Sequence, residues 1–194
     1  MPVSADDISE RYLKKAVAEI NDLGREIAEA AGENRIPVLG SGHPLADILL
    51  LKYGPQAAEV HEGVAFFGRA GQAVLKSIQR LGVDPMAIYG TNCVKFAAAD
   101  EEQSRRWLAR ELHVVQPKLI VVMGQDALAC LNAVRFPLSA DLADEPGVIQ
   151  RFTPTIEALV VPDIDASLDE QATKRAFWDA FKAIGPWWSD LPPY

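Results

Sequence analysis

Apolar positions along this chain fall into two kinds of run. Over residues 8–31, Ile8, Tyr12, Leu13, Ala16, Val17, Ile20, Leu23, Ile27 and Ala28 recur at helical spacing with charges between them. That pattern predicts an amphipathic helix packed on the outside of the fold. Asp6 or Asp7 is placed to cap it and Gly32 to stop it. From residue 46 onward, short continuous apolar runs alternate with helix-period runs. Strands are predicted over 46–53, 86–94, 118–123 and 156–161, and helices over 68–81, 101–114, 125–134 and 168–184. Strands that are apolar throughout, each followed by a helix, predict a parallel sheet covered on both faces. In such sheets ligands bind beyond the carboxyl ends of the strands. Those ends carry Lys52-Tyr53-Gly54-Pro55, Thr91-Asn92, Gly124-Gln125 and Pro162-Asp163-Ile164-Asp165. Segment 135–155, richer in Pro, Asp and Gly, reads as a long loop or small hairpin. The aromatic and proline-rich tail 185–194 is expected to fold back, because exposed tandem tryptophans would leave an apolar patch.

Composition narrows the class. A chain of 194 residues with 49% apolar residues suits one α/β domain, with a helix over 8–31, a core over 40–184 and the tail. There is no apolar run long enough to cross a membrane, and the acidic start Ser4-Ala5-Asp6-Asp7 lacks the basic character of a signal peptide. A soluble, cytoplasmic monomer is the expectation. Cys93 and Cys130 fit neither a disulfide framework nor a metal-ligand set, and His43, His61 and His113 share no ligand spacing. No metal and no cofactor are expected, and both thiols are expected to be buried. The net charge of −8 lowers the expectation of a broad duplex-binding face, though it leaves room for a local basic groove.

The densest chemistry lies between residues 46 and 92. A strand, a Gly/Pro turn, the loop Glu62-Gly63-Val64-Ala65-Phe66-Phe67-Gly68-Arg69-Ala70-Gly71-Gln72 and a second strand ending Tyr89-Gly90-Thr91-Asn92 deliver an aromatic and an amide to one sheet edge. Such an edge can stack a flat ring on Phe66 and read it with the Asn92 carboxamide, which offers both a donor and an acceptor. Phe66 as plain core and Asn92 as an ordinary turn residue are the competing readings.

These blocks, with Gly42-His43-Pro44-Leu45-Ala46-Asp47-Ile48 before them and Gln116-Pro117-Lys118-Leu119-Ile120-Val121-Val122-Met123-Gly124 after them, resemble the uracil-DNA glycosylase superfamily, nearest to its family 4 and family 5 enzymes. The resemblance implies a three-layer α/β/α sandwich with a central four-stranded parallel sheet. It also implies that Phe66 stacks on a flipped uracil, that Asn92 reads its polar edge and that Gly54 lines the same pocket. Flipping is needed because the glycosidic bond is out of reach inside the base stack.

Three departures from the family pattern bear on activity. Family 4 enzymes hold an iron–sulfur cluster through four cysteines, whereas here the slot after Val94-Lys95 holds Phe96 and the later helix carries Arg105-Arg106-Trp107. No cluster is expected. The family 4 motif Gly-Glu-Ala-Pro-Gly aligns with Lys52-Tyr53-Gly54-Pro55-Gln56, so Tyr53 stands where a carboxylate positions the attacking water. A phenol is a poor general base at neutral pH but can orient a water. The segment Pro162-Asp163-Ile164-Asp165-Ala166-Ser167-Leu168-Asp169-Glu170 aligns with the motif whose histidine steadies charge on the departing base, and Asp165 replaces that histidine. Asp165 is expected to donate a hydrogen bond if protonated, to stabilise the sugar cation or hold water if ionised, or simply to begin a helix.

Four acids in this loop, Asp163, Asp165, Asp169 and Glu170, should repel a duplex. The expected function is therefore recognition of a flipped uracil or deaminated base and hydrolysis of its N-glycosidic bond, with single-stranded DNA preferred. Tyr53 and Asp165 are the catalytic candidates, and Gly54, Phe66 and Asn92 the base-binding ones. The alternative is a catalytically inactive nucleobase-binding or protein-interaction module on the same fold.

Overall fold

A computed structural model describes residues 5–192. It begins with helix α1 (Ala5–Ala31), so Asp6 and Asp7 fall inside its first turn rather than capping it. Gly32, with φ +70, stops it as expected, its N–H reaching the Ala28 carbonyl. The order then runs β1 (Ser41–Gly42), β2 (Ile48–Lys52), α2 (Ala57–Glu62), α3 (Arg69–Arg80), a 3₁₀ turn at Pro85–Ala87 and β3 (Ile88–Asn92). It continues with α4 (Glu101–Val115), β4 (Leu119–Met123), α5 (Gln125–Ala133), β5 (Ile149–Arg151), β6 (Glu157–Val161), α6 (Gln171–Phe181) and α7 (Ile184–Ser189).

The sheet has six strands in the order β1-β3-β2-β4-β6-β5. Its centre, β3-β2-β4-β6, is parallel, as the apolar runs require. The expected central four-stranded parallel sheet is thus present, and β1 and β5 extend it into a mixed six-stranded sheet with antiparallel edges, β1 on β3 and β5 on β6. β5 also resolves segment 135–155, which returns antiparallel to β6 as the short hairpin left open by its composition.

Alternation along the strands sorts the core into two layers. Ile48, Leu50, Ile88, Val121 and Val161 face α3, α6 and α7 through Val74, Ile78, Phe177, Phe181 and Ile184. Leu49, Leu51, Tyr89, Ile120, Val122 and Val160 face α4 and α5 through Leu108, Leu112, Leu128 and Leu131. Helix α1 packs on α4, where Leu23, Ile27 and Ala31 bury against Trp107 and Phe96. Glu26 ties the two helices by accepting from Trp107 Nε1 at 2.9 Å and from Arg110.

The segment after α6 does fold back. Trp187 and Trp188 pack against the α3/α6 layer, and Trp187 Nε1 donates to Glu157 Oε2 at 2.6 Å. Residues 193 and 194 of the tail lie outside the described residues. No helix among the described residues is long and apolar enough to cross a membrane.

Candidate functional site

At the carboxyl ends of the strands, side-chain direction divides the chemistry between the two faces. Lys52 follows Leu50 by two residues and Asn92 follows Gly90 by two, so both point to the α3/α6 face, and the register pairs Lys52 with Asn92. Phe66 reaches the same face. A Cβ added to Gly90 would lie 2.6 Å from the Phe66 ring, so the ring rests directly on the β3 backbone one pleat before Asn92.

Phe66 is held there by a strained backbone. Its φ of 60 lies in the left-handed region that bulky residues avoid. Two contacts offset the strain. The Phe66 N–H donates to Glu59 Oε1 at 2.5 Å, and α3 approaches so closely that a Cβ on Gly71 would sit 1.7 Å from the Phe66 carbonyl oxygen. Gly71→Ala is accordingly expected to destabilise the protein by about 1–3 kcal/mol through overpacking. It should also swing the Phe66 ring, which urea unfolding together with near-ultraviolet circular dichroism will detect.

The polar centre of the site is Lys52, which is 1% exposed. Its ammonium donates to Glu59 Oε2 at 2.5 Å and to Asp165 Oδ2 at 2.8 Å, and lies 5.5 Å from the centroid of the Phe66 ring. Glu59, also 1% exposed, spends its remaining capacity on backbone: Oε2 accepts from the Gln56 N–H at 2.7 Å and Oε1 from Phe66. Asp165 is the solvent-facing member, its side chain 17% exposed. Burial pushes its pKa above the ordinary aspartate value, while the hydrogen bond and charge of Lys52 pull the other way.

Asn92 completes the group in an unusual state. It is fully enclosed, and neither its amide nitrogen nor its carbonyl oxygen has a hydrogen-bond partner. A buried unsatisfied amide is costly and calls for an explanation. The apolar cavity of about 230 Å³ that Phe66 lines with Ser41, Leu50 and Val74 does not extend to it. The amide thus lies enclosed, outside that cavity.

Phe66, Asn92 and Asp165 therefore come together on one face, but the Tyr53 side chain does not join them. Tyr53 lines a separate cavity of about 310 Å³ with Cys93, Arg105, Asp126 and Cys130, on the α4/α5 face. There burial raises its phenol further above neutrality. A Cβ on Gly54 would meet nothing within 4 Å, so that glycine lines open space. Cys93 is buried as expected, whereas Cys130 is only partly so; the two thiols are neighbours that perturb each other's titration, burial pushing Cys93 up. The sequence reading missed Lys52 and Glu59. The available signal was a lysine ending an otherwise wholly apolar strand, with an acid seven residues on.

A buried network on the α4 face braces β3 from behind. Glu111 accepts from Tyr89 Oη at 3.0 Å, from Thr91 Oγ1 at 2.9 Å and from Lys95 Nζ, and Lys95 also donates to Thr91 at 2.5 Å. All four residues are at most 2% exposed. Because Thr91 precedes Asn92, this network fixes the strand end that presents the amide.

The family model of the Uracil DNA glycosylase superfamily matches residues 39–182, most of the chain and all of the site. The chain belongs to this superfamily. Three archaeal proteins, each named "Type-4 uracil-DNA glycosylase", are similar to it. That of Sulfurisphaera tokodaii is 29% identical over 47% of this chain and 45% of its own length. That of Pyrobaculum aerophilum is 26% identical over 59% and 62%, and that of Archaeoglobus fulgidus 22% identical over 86% and 92%. The match thus spans about half the length of the first relative, 45%, and most of the third, 92%.

An iron–sulfur cluster does not fit this superfamily member. Among the described residues no group of three or more His, Cys, Asp or Glu side chains is placed to hold a metal. The segments that the resemblance assigns to cluster binding meet instead as apolar packing. Phe96 and Trp107 lie with ring centroids 5.8 Å apart against Leu23, Ile27 and Ala31, and the Arg35 guanidinium caps Phe96 at 4.6 Å.

Proposed function

We propose that this protein binds a uracil or other deaminated base flipped from a single DNA strand, stacked on Phe66 and read by Asn92, and hydrolyses its N-glycosidic bond. One observation carries the reading: a fully buried carboxamide with an idle donor and an idle acceptor, on the same face as the aromatic ring. The uracil edge offers the complementary acceptor and donor.

As the bond breaks, its electron pair leaves with the base and charge accumulates on the uracil ring. The Lys52 ammonium, fixed in a desolvated site, is the cation that opposes this charge, in place of the family's histidine. Asp165, hydrogen-bonded to Lys52 and open to solvent, orients the water that attacks the sugar carbon. Single-strand preference is supported by the acidic loop, although Lys52 neutralises Asp165, and Asp169 pairs with Arg69 at 2.7 Å.

The test is release of base from single- and double-stranded oligonucleotides carrying uracil, hypoxanthine or xanthine. Release from single-stranded uracil DNA that is abolished by Asn92→Ala is expected; neither release nor binding of uracil DNA would refute the proposal. Activity needs Asp165 ionised, and burial raises its pKa. The acidic limb of the pH–rate profile should therefore lie above the ordinary aspartate value, with activity falling as pH drops through it, and should disappear in Asp165→Asn. A binding module without chemistry is the second reading, favoured by the way Lys52 occupies both carboxylates; binding without release would support it.

A further inference from the structure

The two thiols differ in a way that packing alone does not require. Cys93 follows β3 directly and is enclosed in the core layer beneath α4 and α5, where a small apolar side chain is sufficient explanation. Cys130, on α5, is only half-buried. It lines the cavity of about 310 Å³ that also carries Arg105 and Tyr53, the latter 39% exposed. The neighbouring Cys93 lowers the Cys130 pKa most, burial opposes it, and the charges of Arg105 and Lys95 lower it further against Glu101. Cys93 moves the other way, pushed up chiefly by burial. The more acidic thiol is thus the one that solvent reaches, and a protonated thiol stands behind it.

We propose that this pair is a site of oxidation by hydroperoxides: Cys130 attacks the peroxide, and Cys93 resolves the product as an intrachain disulfide. The inference does not rest on base binding, because both sulfurs lie on the α4/α5 face, away from Phe66.

The electron balance needs only the peroxide. The Cys130 thiolate attacks one peroxide oxygen and the O–O bond breaks. The leaving oxygen takes a proton from solvent and departs as water, or as an alcohol from an organic hydroperoxide, and Cys130 is left as a sulfenic acid. Cys93 then attacks the Cys130 sulfur. The S–S bond forms, the S–O bond breaks, and the departing hydroxide leaves as water with the Cys93 proton. Enclosure does not hinder Cys93, whose target is the adjacent sulfur rather than a solute. Two electrons pass from the sulfurs to the peroxide, and a thiol reductant returns them by exchange. The bridge ties α5 to the end of β3.

The experiment treats the full reduced chain with equimolar hydrogen peroxide, blocks the remaining thiols with iodoacetamide in urea and digests with trypsin. The chain holds two cysteines, and they fall in separate tryptic peptides, 81–95 and 119–135. The expected product is these two peptides linked, lighter by two hydrogens than the free thiol forms, from monomeric protein, and lost on treatment with dithiothreitol. In Cys93→Ser, Cys130 should instead accumulate as a sulfenic acid that dimedone captures. In Cys130→Ser, the enclosed Cys93 should stay reduced. Full alkylation of both thiols after peroxide, a sulfinic acid on Cys130 with no linked peptide, or a bridge found only between two chains would overturn the proposal. The wild-type protein decides this alone, whether or not either variant folds.

Discussion

Asn92→Leu is expected to stabilise the free protein while destroying its ability to handle uracil. The substitution nearly conserves volume and removes a buried amide whose donor and acceptor are both unpaired. An unsatisfied buried polar group costs about 1–3 kcal/mol, and that is the gain expected in urea unfolding, with an unchanged m-value. In the same variant, base release should fall by a factor of about 10²–10³, the typical loss when a preorganised hydrogen-bonding group in a desolvated site is removed. Opposite signs in the two assays are the signature of a residue kept for a ligand. If Asn92 were merely structural, leucine would either leave both properties alone or weaken both.

Lys95→Met should have the largest effect on stability. It leaves the Glu111 carboxylate enclosed, with hydroxyl donors from Tyr89 and Thr91 but no counter-charge. Breaking a buried pair from one side costs about 3–5 kcal/mol. Replacing both partners, as Lys95→Met with Glu111→Leu, should recover much of that loss, because no uncompensated charge remains. Chemical denaturation of the two variants separates these outcomes. A single variant as stable as wild type would show that the network does not brace β3. The coupling extends to the site, since Thr91 in this network is adjacent to Asn92. The single variant, where still folded, should lose base binding as well.

The sequence made the central fold readable because its strands are buried on both faces. Runs such as Leu119-Ile120-Val121-Val122-Met123 have no polar break, and each is followed by a helix of ordinary period. The unreadable elements are those too short to show a period: β1, with two residues, β5, with three, and α2, with six. The run taken as one helix over 168–184 begins later, after a turn in which Ser167 donates to the Asp163 carbonyl. It then gives way to α7, whose Pro186 and tandem tryptophans read as a tail in sequence.

The placement of three candidates on one face was legible from their flanking blocks: Asn92 ends β3, Asp165 follows β6 and Phe66 lies in the loop before α3. Lys52 and Glu59 were not. Lys52 meets Asp165 across 113 residues of chain, and the local signal, a lysine closing an apolar strand with an acid seven residues on, does not reveal that second carboxylate. Tyr53 misled for the opposite reason. It occupies the aligned motif position, but side-chain alternation sends it to the face opposite Lys52, beside Cys93 and Cys130.

The most direct test of base recognition is the side-chain NH₂ resonance of Asn92 in ¹⁵N spectra, followed while a single-stranded oligonucleotide with one 2′-fluoro-deoxyuridine is added. Engagement of the idle amide should shift this pair of signals strongly downfield and slow their exchange, with matching perturbation of Phe66, and a thymidine control should leave them in place. Binding of the uracil strand that moves resonances elsewhere while the Asn92 amide stays unchanged would contradict the account.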